Sequence, residues 1–197
     1  MELTLAPAHT ALVVIDLQRG IVAAPTAPRP GNEVVAHAAA VAAALRAAGG
    51  TVILVHVTPS ADSRDALRPQ TDTPAWARGP RTADWAEIVP ELGPKPGDVV
   101  IAKRQWGAFY GTELDLQLRR RGIDTILLAG ISTNAGVEST ARDAYERGYE
   151  QVFVEDAMAA RSPDEHAHTV RTLFPRIGRV RSTAEVLAAL EAATRQA

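Results

Sequence analysis
GISTNAGVESTARDA, residues 130–144, is the stretch from which the rest of the chain is read. Just before it, Thr125 to Ala129 (TILLA) is a short apolar run without a helical charge pattern, as expected of a strand buried on both faces. Gly130 ends that run, and Ser132, Thr133 and Asn134 offer capping side chains. Val137, Ala141, Ala144 and Tyr145 then recur at helical spacing. A strand, a turn and a helix N-terminus in that order belong at the carboxyl edge of a parallel sheet. Amides and the positive end of a helix dipole converge there on a ligand.

Outward from this unit the chain alternates apolar runs with amphipathic ones. Ala11 to Leu17 (ALVVIDL) is a first strand, and Asn32 is placed to cap a helix through Ala48 that Gly49 and Gly50 stop. Thr51 to Val57 is a second strand. The next forty or so residues lack periodicity and read as a lid or pocket wall. Asp98 to Ala102 is a third strand, and Thr112 opens a helix through Arg121 with Leu114 and Leu118 facing inward. Gln151 to Glu155 is a fifth strand. Ser162-Pro163 starts another helix, and a short strand, Ile177 to Val180, precedes a helix from Thr183 to Ala193. Repeated strand–helix units predict a single α/β domain over residues 1–197, a three-layer α/β/α Rossmann-like fold with a mostly parallel sheet of about six strands. Asp16-Leu17-Gln18-Arg19-Gly20 lacks the glycines of a dinucleotide site, and no Walker loop is present.

Composition narrows the function. A net charge of −2 leaves no basic excess for nucleic acid or an anionic membrane. With no cysteine there is no disulfide, thiolate metal site or cysteine nucleophile. No secretory signal or membrane span is read, so a cytoplasmic protein is expected. Asp16 and Lys103 stand out as charges at strand ends: an aspartate after four apolar residues is costly to desolvate unless paired or used. Spacing alone leaves a structural ion pair and a chemical role equally open.

Three separated pieces resemble one family, the isochorismatase-like hydrolases, which include nicotinamidases, N-carbamoylsarcosine amidohydrolase and the isochorismatases proper. VVIDLQ, with Asp16 and Gln18, is similar to the family's first strand and catalytic aspartate. KRQWGAFYGTELDLQL, from Lys103, is similar to its catalytic lysine segment. GISTNAGVESTARDA resembles its nucleophile segment, and VEDAMAA, Val154 to Ala160, extends the likeness over nearly the whole chain. KRQWGAFYGT is also shared with a bacterial subgroup without an assigned substrate.

The nucleophile segment departs from the pattern, because Gly136 stands where the thiol-dependent members carry cysteine. Isochorismatases proper resemble the chain in having glycine there, and in them the aspartate is held to act as a general acid on an enol ether. Ser132-Thr133-Asn134, in contrast, resembles the thiol-dependent branch. The resemblance implies catalytic roles for Asp16, Lys103 and Gly136, with Asp16 transferring a proton and Lys103 orienting it and binding substrate charge. It also implies a cis Ile131–Ser132 peptide with Ser132 N and Gly136 N as donors. Gln18, Trp106, Ser132 and Asn134 are the expected substrate contacts, and the substrate is a small polar or carboxylated molecule. No cofactor is expected. Amidase relatives hold a metal near His56 and Asp62, but no compact metal pattern is visible here. A homo-oligomer, dimer or tetramer, is expected, with neither nucleic acid nor membrane as partner.

Other features carry less. Ser132 only half matches a nucleophile elbow and has no obvious histidine base. His166 and His168, two apart on a helix, read as solvated surface. Phe109 reads as core and Trp106 as pocket, while Trp76, Trp85 and Tyr110 fit either. Whether burial or Lys103 governs the Asp16 pKa decides between general acid and activator of water. A non-catalytic binding protein and a thiol-independent amidase are the alternative functions.

Overall fold
The computed structural model describes residues 3–73 and 82–196. Six strands form one sheet in the order β3-β2-β1-β4-β5-β6, and each neighbouring pair runs parallel. They are β1 (Thr10–Ile15), β2 (Thr51–Val57), β3 (Val99–Lys103), β4 (Thr125–Ile131), β5 (Glu150–Ala159) and β6 (Arg179–Arg181). The strand order reverses between β1 and β4, and the carboxyl ends at such a reversal are where open α/β sheets place their ligands.

Helices cover both faces. On one, α2 (Gly31–Ala47) and α7 (Thr183–Gln196) pack over Leu12, Val14, Leu54 and Leu127; on the other, α3 (Leu114–Arg120) and α4 (Glu138–Glu146) pack over Ala11, Val13, Ile15 and Leu128. Every residue of β1 is buried, which accounts for its unbroken apolar run. The short helix α1 (Arg19–Val22) follows β1, and α5 (Pro163–His168) and α6 (Phe174–Ile177) follow β5. The α/β three-layer architecture is therefore the one expected, with the six-stranded sheet wholly parallel.

Local differences have physical causes. Helix α2 starts at Gly31 after Pro30, and Asn32 caps nothing. Thr112 does cap: its Oγ1 accepts from Leu114 N at 3.1 Å, so α3 begins two residues beyond it. Strand β5 runs on to Ala159 through an irregularity, where Leu128 pairs with Phe153 and Gly130 with Met158. Glu155 and Asp156 occupy that irregularity, half-buried; two adjacent carboxylates are what made the strand seem to stop. Asp156 accepts from Thr183 N and Oγ1, both at 2.7 Å, and so fixes the start of α7.

Candidate active site
The reversal point brings three chain segments together. Asp16 follows β1 with φ 54°, and its amide donates to Val55 O at 2.8 Å. Lys103 ends β3, and beyond β4 the chain turns through residues 132–136 into α4. Gly130 allows the end of β4 to approach the end of β1. Its φ is +130°, and a Cβ there would lie 2.1 Å from Ile15 O, so only glycine lets β4 close onto the end of β1. The Ile131–Ser132 peptide is cis.

Asp16 and Lys103, 87 residues apart in sequence, meet with Nζ 2.7 Å from Oδ2, and both are buried. Lys103 Nζ also donates to Trp106 O at 2.6 Å and Gln105 O at 3.2 Å. An ammonium has three donors, and all three have protein acceptors, so Lys103 orients Asp16 but keeps no hydrogen for substrate charge. The turn at residues 105–106 folds back over the lysine to supply those carbonyls. Asp16 is satisfied on one side only: its Oδ1 is buried and has no hydrogen-bond partner among the described residues. Burial pushes the Asp16 carboxyl up to about 6 despite the opposing pull of Lys103. The contest left open by the sequence thus goes to desolvation.

Gly136 faces this pair. A Cβ on it would lie 3.3 Å from both Asp16 Oδ2 and Lys103 Nζ, and 2.9 Å from Ile15 Cγ2. The turn therefore packs closely over the carboxylate–ammonium contact, and only a glycine fits there without displacing Ile15. Thr140 holds the glycine from one side, donating to Gly136 O at 2.7 Å and accepting from Ala108 N at 3.1 Å. It thereby locks the turn to the segment after Lys103.

The expected substrate contacts divide. Ser132 Oγ donates to Asn134 Oδ1 at 2.8 Å, and both side chains are half-buried on the turn. Ser132 provides no side-chain cap, contrary to expectation. Gln18 is fully buried. Its Nε2 donates to Val57 O and Trp85 O at 3.1 and 3.2 Å and its Oε1 accepts from Val57 N at 2.8 Å, so main chain takes both ends of the amide. It stitches the end of β1 to β2 and to the irregular segment, whose residues 85–89 also pair with Leu17, Arg19 and Gly20. Trp106 is 64% exposed: its carbonyl, not its ring, meets Lys103. Phe109 is core, Tyr110 is exposed, Trp85 packs against the core edge, and Trp76 lies outside the described residues.

His56 Nδ1 is 2.8 Å from Ala86 O, and Asp62 Oδ1 accepts from Ser60 Oγ and Arg64 N. Among the described residues no three His, Asp or Glu are grouped to hold a metal. No described helix is long and apolar enough to cross a membrane.

His166 corrects the surface assignment. It is buried, with Nδ1 2.9 Å from Thr133 Oγ1, because α5 packs against the turn; His168 is exposed. Its i, i+3 relation to Thr169, not its spacing from His168, was the readable signal.

The isochorismatase domain model matches residues 10–185. YwoC of Bacillus subtilis (strain 168), an uncharacterized isochorismatase family protein, is 54% identical over 179 residues, covering 90% of this chain and 92% of YwoC. Ureidoacrylate amidohydrolase RutB of Pantoea ananatis is 34% identical over 184 residues, covering 80% of this chain and 72% of RutB. An isochorismatase family protein of Burkholderia thailandensis superposes with a TM-score of 0.90 at 49% identity, covering 95% of this chain and 98% of the other. With the fold, the strand-end pair and these relatives in agreement, the chain belongs to the isochorismatase family and is a hydrolase of that family.

Proposed function
We propose that the protein hydrolyses a small polar or carboxylated metabolite without a covalent thiol intermediate, with Asp16 as the proton-transferring group. The observation that carries this is the asymmetry of Asp16: Oδ2 is held by Lys103, whereas Oδ1 is buried without a partner. A proton taken up by Asp16 resides on Oδ1, because the lysine hydrogen bond favours charge on Oδ2. A carboxyl that titrates at about 6 exchanges protons readily near neutral pH.

Gly136 stands where the thiol-dependent members carry cysteine, and even a methyl there would crowd Ile15, Asp16 and Lys103, so no side chain at that position takes part in the reaction. Ser132 N and Gly136 N, on the turn into α4, are the donors to a substrate oxygen in this reading. Asn134 and Ser132 contact substrate at the rim, and Gln18 acts as a strut behind Asp16. The working protein is a cytoplasmic homo-oligomer, dimer or tetramer, of a single domain over residues 1–197.

Two reactions use these parts differently. For an enol ether, Asp16 Oδ1–H protonates the vinyl carbon, water adds to the oxygen-bearing carbon, the alcohol leaves and the proton returns to Asp16. For an amide or ureide, ionised Asp16 takes a proton from water as it adds to the carbonyl, then passes it to the leaving nitrogen. The 34% identity to a ureidoacrylate amidohydrolase keeps the second reading in view. Turnover of isochorismate and of ureidoacrylate as a function of pH separates them. The enol-ether reaction slows as pH rises through about 6, and the amidase reaction speeds up over the same range. Asp16→Asn abolishes either. Wild-type rates in Asp16→Asn would refute the assignment, and wild-type binding of these ligands without turnover would favour a binding protein.

A further inference from the structure
Behind the Ser132–Gly136 turn lies a second set of polar side chains that the proposed reaction does not use. Thr133 is fully buried, and its Oγ1 meets His166 Nδ1 at 2.9 Å. His166 projects from α5, whose start is fixed by a capping box between Ser162 and Glu165. Three residues on, Thr169 Oγ1 donates to Glu138 Oε2 at 2.7 Å. Residues i and i+3 share a helix face, so one face of this segment grips both ends of residues 133–138. Nε2 of His166 points toward Glu155, 3.8 Å from Oε2, and Arg29 Nη1 lies 3.4 Å from the same oxygen. A cavity of about 400 Å³ adjoins these three side chains.

Hydroxyl, imidazole and carboxylate in this order have the sequence of a nucleophile, its base and an orienting acid. Burial argues against that use. Thr133 has no exposed surface and does not line the cavity, so no reacting carbon reaches its oxygen. The same groups do fix the direction of one hydrogen bond. Burial, with Arg29 nearby, pushes His166 down to about 4, so the ring is neutral at physiological pH. A neutral ring carries one hydrogen. The Glu155 carboxylate favours it on Nε2, which leaves Nδ1 to accept from the Thr133 hydroxyl.

We infer that His166 is a positioning residue for the active site, acting through Thr133 to hold the Ser132–Gly136 main chain at its working height above Asp16 and Lys103. This rests on the reading that Asp16, Lys103 and Gly136 form the reactive centre. Gly136 is suspended between two ties, Thr140 on its own carbonyl and Thr133–His166 three residues before it. With only 3.3 Å from its Cβ position to Asp16 Oδ2 and to Lys103 Nζ, a shift of about 1 Å in the turn either drives the glycine into the pair or draws it away from the pair.

The test follows the Gly136 amide by ¹⁵N NMR through a pH titration, since that residue faces the Asp16 carboxyl. In the wild type its shift changes with a midpoint of about 6. Thr133→Val keeps the shape and removes the hydroxyl, His166→Leu removes the acceptor, and His166→Asn keeps a polar atom where Nδ1 was. The first two are expected to move the Gly136 resonance and displace the midpoint by about half a pH unit or more. They are also expected to lower kcat on ureidoacrylate by about tenfold or more with KM little changed. His166→Asn restores both, and the double variant Thr133→Val/His166→Leu is no worse than either single one, because both remove one interaction. If Thr133→Val keeps the wild-type midpoint and kcat while only its Tm falls, His166 is packing and the inference is wrong; this variant decides even where His166→Leu does not fold. Wild-type turnover in Asp16→Asn would instead overturn the reactive-centre assignment, whatever Thr133→Val does to Gly136.

Discussion

Asp16 and Asp98 both present a buried carboxylate to a cation, and only Asp16 sits in a place that chemistry can use. Asp98 receives Arg46 on both oxygens, Nε to Oδ1 at 2.9 Å and Nη2 to Oδ2 at 2.8 Å, and Lys95 N adds a third bond at 2.7 Å. Arg46 also donates to Leu92 O at 2.9 Å, so the cluster clamps α2 to the loop before β3. Asp16 receives Lys103 on Oδ2 and nothing on Oδ1. A planar guanidinium saturates a carboxylate, whereas an ammonium committed to two carbonyls leaves half of it open. The satisfied pair belongs to the scaffold and the unsatisfied one to the site.

Substitution should separate the two most sharply. Asp16→Asn is expected to cost about a thousandfold or more in turnover, consistent with loss of a proton-transferring group and its charge, and stability as well, since it leaves Lys103 buried without its counter-charge. Asp98→Asn should cost stability alone. Breaking a saturated pair leaves Arg46 short of a partner and costs about 3 kcal/mol, read from chemical denaturation, with turnover per folded molecule unchanged. Equal losses of turnover per folded molecule in the two variants would erase the distinction.

Gly136→Ala gives an intermediate effect. The new Cβ lies 2.9 Å from Ile15 Cγ2, so Ile15 has to shift, at about 1 to 3 kcal/mol. The methyl also crowds Asp16 and Lys103, and turnover should fall by about tenfold or more. Wild-type turnover in this variant would mean that the reacting group sits elsewhere.

Stability against pH gives the smallest signal. Asp16 has its folded pKa raised from 3.8 to about 6, so the native state holds the extra proton and stability falls as pH rises from about 4 to about 6. His166 has its folded pKa lowered from 6.5 to about 4, so the unfolded state holds the extra proton and stability rises with pH over nearly the same window. Each slope integrates to about 3 kcal/mol at most, and in the wild type they largely cancel. Denaturation midpoints of Asp16→Asn should rise with pH in this window, and those of His166→Asn should fall. Parallel curves in the two variants would contradict the opposing shifts.

The same contrast explains what the sequence made legible. Strands buried on both faces, such as β1, announce themselves as apolar runs, and a charge ending such a run is visible; so Asp16 and Lys103 could be named before their contact was known. Gly136 stood out through the resemblance in its segment. Thr133, Thr140 and His166 could not be found in that way, because their bonds join α5 to the turn and the turn to the segment after Lys103, and such pairings leave no local period. Gln18 and Trp106 fell in matching motifs, but whether an amide or a ring is free depends on main chain brought in from afar, Val57 and Trp85 for the one and the fold-back onto Lys103 for the other. Strand β5 ran past its carboxylates because Glu155 and Asp156 sit in an irregularity that sequence periodicity does not encode.

The direct measurement is a ¹³C NMR titration of the Asp16 carboxyl carbon in the wild-type protein. Proton transfer by an aspartate that is held on one oxygen and buried on the other predicts a midpoint at about 6. A midpoint at or below the ordinary 3.8 would show that Lys103 outweighs burial, and would make Asp16–Lys103 an ion pair of the Asp98–Arg46 kind.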